Sequence, residues 1–156
     1  MKMKKTIKTE KVLSAFRVLN TAKYTKMTDE DKIKVWKIAR ALKPVADKFE
    51  DDSKDAAEKF KPTEDFAERL QKAQEFERKR NAGEDMTDAP MGAAEYNEFV
   101  NEFQKYNKTV SDAVKEFADK EVEVEFDVLT EEAFGKLMAS NEWEVSQVIE
   151  IGQIIL

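Results

Sequence analysis

Apolar residues recur with a helical period along most of the chain and with a period of two in one short run. From about Thr9 to Tyr24, Val12, Phe16 and Leu19, with Leu13 beside them, mark one face of a short amphipathic helix. Thr28, followed by Asp29, Glu30 and Asp31, reads as a helix start. The threonine oxygen can accept a backbone N–H there, and acids suit the positive end of the helix dipole. Val35, Ile38, Leu42, Val45 and Phe49 then alternate steps of three and four, and Ala56 keeps their register. Ile33, Trp36 and Ala39 widen this stripe, which predicts buried neighbours on two sides. Pro44 lacks the N–H that would bond to Arg40, so a kink is expected over residues 40–44. Lys61-Pro62-Thr63 reads as a stop or a second kink, after which Phe66, Leu70, Ala73 and Phe76 carry helical spacing to about Arg80.

Residues 81–92 contain two of the four glycines and one of the three prolines, and read as a long loop at the tip of a helical hairpin. The most regular register follows it. Tyr96, Phe99, Phe103, Tyr106, Val110, Ala113 and Phe117 step by threes and fours without a break, which calls for a partner helix lying nearly parallel or antiparallel. The helix over 30–60, with its extension to 80, is the expected partner.

The period then changes. Glu121 to Val128 alternates acidic and apolar residues, the pattern of a half-buried strand. Its backbone needs a second strand. Residues 2–8 are the first choice, because Lys4 and Lys8 could then face the glutamates. Val148 to Ile155, or the same strand of another subunit, is the alternative. Thr130-Glu131-Glu132 caps a short helix bearing Phe134, Leu137 and Met138, which ends at Ser140-Asn141. In the tail, periodicity does not separate helix from strand. Its Val, Ile and Leu side chains are each worth about 1.5 to 3 kcal/mol when buried, so they must pack on their own core or on a partner. Trp143, Val148, Ile151, Ile154, Ile155 and Leu156 are the candidate partner contact.

Together these elements predict an α+β fold, mainly α. A long antiparallel helical hairpin would stand on a small two-stranded β element and a short C-terminal helix. The 156 residues suit a single domain, 1–156, with the hairpin arm over about 29–118 and a base formed by 1–24 and 119–156. Hydrophobic residues at 41% suffice for a core, so the 38% of charged residues does not mark a disordered chain.

The composition also narrows the chemistry. With no cysteine and no histidine, disulfides, thiol nucleophiles, Cys/His zinc sites and histidine-dependent triads are excluded. No two glycines have a phosphate-cradling spacing. Carboxylates remain. Glu50-Asp51-Asp52 with Asp55 fails as a calcium loop, because Ala56 and Pro62 stand where glycine and a bidentate glutamate are needed. It reads as a solvated helix face with Lys48, Lys54 and Lys59 nearby. Glu95, Glu98 and Glu102 have the spacing of carboxylate-bridged metal centres but lack the histidines, and read as surface partners of lysines on a neighbouring helix. A glycosidase-like pair of acids has no cleft to point to it. No catalytic, metal-binding or cofactor-binding residue is assigned, and no cofactor is expected.

A net charge of -6 disfavours general attraction to nucleic acid or to anionic membranes. Lys2, Lys4, Lys5, Lys8 and Lys11 form a basic arm without aromatic residues for base stacking, so no nucleic acid is expected. Trp36 and the Tyr96 to Phe117 ladder read as core, not as a ligand pocket. The basic start is followed by no secretory apolar run, and Val148 to Leu156 is less than half of the ~20 residues that span a bilayer. The expectation is therefore no signal peptide and no membrane partner.

In the order of its parts the chain resembles a family of small uncharacterised proteins encoded by tailed bacteriophages and prophages near their structural genes. The parts are the lysine-rich start, the helix with Val12, Leu13, Phe16 and Leu19, the charged helix from Lys32 to Phe60, Glu95-Tyr96-Asn97-Glu98-Phe99, Val122-Glu123-Val124-Glu125-Phe126 and the apolar ending. The stretch from Pro62 to Gly92 departs from that pattern by its length. The resemblance implies a non-enzymatic protein that acts in virion structure or assembly, through a protein partner or self-association, in the bacterial cytoplasm or the virion. It supplies no catalytic residues. A carboxylate-dependent hydrolase or metal-dependent enzyme is one alternative, and a nucleic-acid-binding accessory using the N-terminal lysines is another.

Overall fold

The computed structural model describes residues 2–156. Along them run β1 (Lys2–Lys8), α1 (Thr9–Thr21), α2 (Asp29–Lys59), α3 (Phe66–Asn81), α4 (Ala93–Asp119), β2 (Glu121–Asp127), α5 (Glu131–Ala139) and α6 (Val145–Ile155), with a single 3-10 turn over Met86–Asp88. The fold is α+β and mainly α, as the periodicity predicts. The chain divides into two compact units. One is Met1–Asp52 with Glu116–Leu156, the sheet unit; the other is Ser53–Lys115, the aromatic unit. The expected division into arm and base is different, because residues 29–52 belong with the base. Val35, Ile38 and Leu42 of that stretch are buried in the core of the sheet unit.

In the sheet unit β1 and β2 pair antiparallel, with Lys2 opposite Asp127, Lys4 opposite Glu125, Thr6 opposite Glu123 and Lys8 opposite Glu121. The first-choice pairing is the one that forms. Alternation puts these polar residues on the exposed face, while Val124 and Phe126 turn into the core. The pairing continues past the strand ends, where the Thr9 N–H and hydroxyl both donate to the carbonyl of Lys120, at 2.9 and 2.7 Å. Thr9 is thereby buried without an unsatisfied group.

The rest of this core comes from one face of each helix: Val12, Ala15 and Leu19 of α1, Ala133, Phe134 and Leu137 of α5, and Ile151, Ile154 and Ile155 of α6. Thr28 accepts from the Asp31 N–H at the start of α2, and Thr130 accepts from the Ala133 N–H at the start of α5. Both caps are the expected ones. α5 ends at Ala139, and Ser140 and Asn141 then hold the turn before α2. The Asn141 side chain accepts from Lys23 N–H at 2.8 Å and donates to the carbonyls of Lys23 and Leu137, while Ser140 Oγ accepts from Lys26 N–H. Tyr24 hydroxyl, donating to the Leu19 carbonyl, is pushed up from its ordinary pKa by burial.

In the aromatic unit α3 and α4 are antiparallel neighbours. Phe66, at the start of α3, meets Phe99, Phe103 and Tyr106 at centroid distances of 5.5, 6.0 and 4.8 Å, while Phe76, about three turns later, stacks on Tyr96 at 4.5 Å. The ladder thus pairs with the extension over 66–81. The last turns of α2 take part through Tyr106, whose hydroxyl donates to the Ala57 carbonyl at 2.7 Å. Asp65 precedes α3, and the Thr63 hydroxyl donating to it at 2.6 Å holds its carboxyl below the usual range. α3 closes with Gly83 at a φ of 69°, the N–H of Gly83 bonding Arg80 and that of Glu84 bonding Lys79. This is the Schellman arrangement, in which a left-handed residue satisfies the last carbonyls, and it favours glycine.

Candidate interaction surface

α6 settles the tail as a helix. Gln147 Oε1 accepts from the Glu144 N–H at 3.0 Å and so serves the helix start. At the other end the carbonyl of Ile155 accepts from Leu129 N–H at 2.7 Å, and those of Ile154 and Leu156 accept from Lys5 Nζ at 2.8 and 2.9 Å. A cation there also complements the negative end of the helix dipole. Burial holds the Lys5 ammonium below its ordinary pKa.

With 3.6 residues per turn, a helix this apolar has two greasy sides. Ile151, Ile154 and Ile155 are in the core and are spent within the unit. Trp143 and Val148 are half-buried and pack against the same core. Of the six tail residues singled out above, Leu156 is the most open, at 37% exposure. The more exposed positions are two that sequence reasoning did not select: Val145 at 75% and Ile149 at 56%. Their spacing to Gly152 and Leu156, steps of four, three and four, was the available signal. Gly152 itself lies against the Phe134 ring, which is buried in the core, so the open apolar positions of α6 are Val145, Ile149 and Leu156.

A second apolar face lies on α2. Ile33 is 53% and Trp36 57% exposed, against the expectation that both widen a buried stripe. The cause is geometric. Val35, Ile38 and Leu42 fill the core side of α2, and Trp36 lies about 100° around the helix from Val35. Among the described residues, Ile33 and Trp36 on the second side stay more than half exposed. Arg40 instead lays its guanidinium over the Trp36 ring, 5.3 Å from the centroid. Lys37 shares the outer face with Ile33 and Arg40 by helical spacing and is exposed.

The polar candidates are dispersed. Asp52 is paired with Lys48, and Glu102 with Arg69 of α3 at 2.7 Å, so the neighbouring-helix partner is an arginine. Glu95 and Glu98 are exposed. Among the described residues, no three Asp or Glu side chains are grouped so as to hold a metal ion. An open depression on α4 is lined by Asn101, Gln104, Lys105 and Lys108, without a carboxylate or hydroxyl nucleophile. Lys2, Lys4 and Lys8 face Asp127, Glu125 and Glu121 across the sheet. No helix among the described residues is long and apolar enough to cross a membrane.

No protein-family model matches the chain, and no curated protein or solved structure does either.

Proposed function

We propose that this protein works by binding other proteins, without covalent chemistry, as a virion- or assembly-associated protein of a phage or prophage. The observation that carries the contact reading is the pair of large apolar faces standing in solvent on folded helices, Ile33 with Trp36 and Val145 with Ile149. Single exposed apolar residues are ordinary; aligned ones on a helix mark contact surfaces. Tryptophan beside arginine is also the composition that dominates binding energy at protein interfaces. The phage origin is supported by the order of parts along the sequence.

Site-specific photo-crosslinking tests the contact. A benzophenone side chain is placed at position 36 or 145, and at Lys108 as a control, with the chain co-expressed with the products of its flanking genes. The expected result is a crosslinked product from 36 and 145, identified by mass spectrometry as a flanking gene product or the chain itself, with none from 108. Equal yields at all three positions would refute the reading. Flanking tail or capsid genes support the phage assignment, and a metabolic operon overturns it.

A further inference from the structure

We infer that copies of this chain bind one another head to tail, the outer face of α2 on one copy seating on the outer stripe of α6 on the next. The inference rests on the reading that the protein works by contact, and it names the partner as a second copy.

The two faces differ in charge while sharing an apolar centre. On α2, Ile33 and Trp36 have exposed Asp29 and Glu30 at the N-terminal end of their face and exposed Lys37 and Arg40 at the C-terminal end, so the end that meets the acids of α6 is the Lys37 and Arg40 end. On α6, Val145 and Ile149 lead into Gly152 and Leu156, the flanking positions Ser146 and Gln153 are uncharged, and the exposed Glu142 and Glu144 stand at the Val145 end. A basic rim against an acidic end gives orientation as well as attraction. With a net charge of -6 the chain repels itself at long range, so association needs locally opposite surfaces.

The joining surfaces are different patches, so the contact is heterologous. Each copy keeps one patch free after binding, and growth continues until a ring closes or a filament forms. Trp36 is the side chain expected to dominate, with the Arg40 guanidinium over its ring.

Sedimentation velocity on the full chain, over a roughly thousandfold range of concentration, tests this with Trp36→Gln and Ile149→Gln. Wild-type mass should rise above the 18.0 kDa of one chain as concentration increases. Each variant alone should lose association by at least about tenfold. An equimolar mixture should recover it as 1:1 dimers, because each variant keeps the patch that the other lacks. Both replaced side chains are more than half exposed, so circular dichroism and melting temperature should match wild type. If either variant misfolds, Arg40→Glu and Val145→Ser attack the same two faces and should complement in the same way. A wild-type monomer throughout, a variant that associates as wild type does, or a mixture that stays monomeric overturns the inference. A strict monomer would leave crosslinks to other gene products, and hence the broader contact reading, intact.

Discussion

The sheet unit is held by aliphatic side chains drawn from both halves of the sequence, whereas the aromatic unit is held by rings from two helices joined by one loop. In the first, Leu19, Ile38, Leu42, Leu137, Ile151, Ile154 and Ile155 are almost wholly enclosed, and β1 must find β2 across more than a hundred residues. In the second, Phe66, Phe76, Tyr96 and Phe99 interlock, and arginines finish the surface. Arg69 lies 5.3 Å from the Phe99 centroid while pairing with Glu102, and Arg80 lies 5.0 Å from that of Tyr96. Planar guanidinium groups suit this, since they stack on rings and still donate to carboxylates. The contrast teaches where order comes from. Closing the aromatic unit spans few residues, whereas pairing β1 with β2 closes a loop of more than a hundred and costs more loop entropy.

Core truncation should separate the units most strongly. Phe99→Ala should cost about 3–5 kcal/mol, and Ile154→Ala about 2–5 kcal/mol. In hydrogen exchange, the first should deprotect amides of α3 while β1 and β2 remain protected, and the second should do the reverse. Equal deprotection of both units by either variant would mean that they unfold as one.

Asn141→Ala should have a smaller effect, about 0.5–1.5 kcal/mol, because it removes the side-chain hydrogen bonds to the Lys23 N–H and carbonyl at the turn before α2 and to the Leu137 carbonyl in α5. The loss should appear as a lower melting temperature and as faster exchange in α5. An unchanged melting temperature would show that water replaces the side chain without penalty.

Acid should produce the smallest difference, confined to the aromatic unit. Asp65 is held below the usual carboxylate range first by the Thr63 hydroxyl, Glu75 by its hydrogen bond with Arg78, and Asp85 by the Thr87 N–H. A carboxyl with a depressed folded pKa contributes stability that is present above its unfolded pKa and is lost as pH falls through the folded one. Asp65 and Asp85 are exposed and Glu75 is half-exposed, so screening keeps the effect modest. Exchange protection of α3, corrected for the intrinsic rate, should therefore fall between about pH 5 and about pH 3, while that of α6 changes less. Equal loss in the two units would remove the distinction.

Much of the fold was legible because several local signals agreed. Alternation over Glu121 to Asp127, together with lysines at the right spacing in β1, specified both the strand pair and its facing charges. Threonines before acidic turns marked the starts of α2 and α5. Three features were hidden, each for a physical reason. α6 does carry polar residues at 146, 147, 150 and 153, but its short run of Val and Ile suits a strand as well as a helix, so the sequence does not decide between them. The wide stripe of α2 shows that Ile33 and Trp36 share an apolar helix surface, but only the three-dimensional neighbours decide which side is covered. The boundaries at 52–53 and 115–116 lie inside continuous helices, where no glycine or proline announces them. Of the tail residues singled out in the sequence, Ile151, Ile154 and Ile155 are buried, and the most exposed apolar side chains of the tail are Val145 and Ile149, on the other side of α6.

Whether the outer face of α2 becomes covered can be read from one fluorophore. The chain has two tryptophans, so Trp143→Phe leaves Trp36 alone. Acrylamide quenching of that variant, from dilute to concentrated solution and again with the flanking gene products added, should show Trp36 open when dilute and shielded, with blue-shifted emission, when partners are present. A Trp36 that stays equally quenchable under every condition would contradict the account.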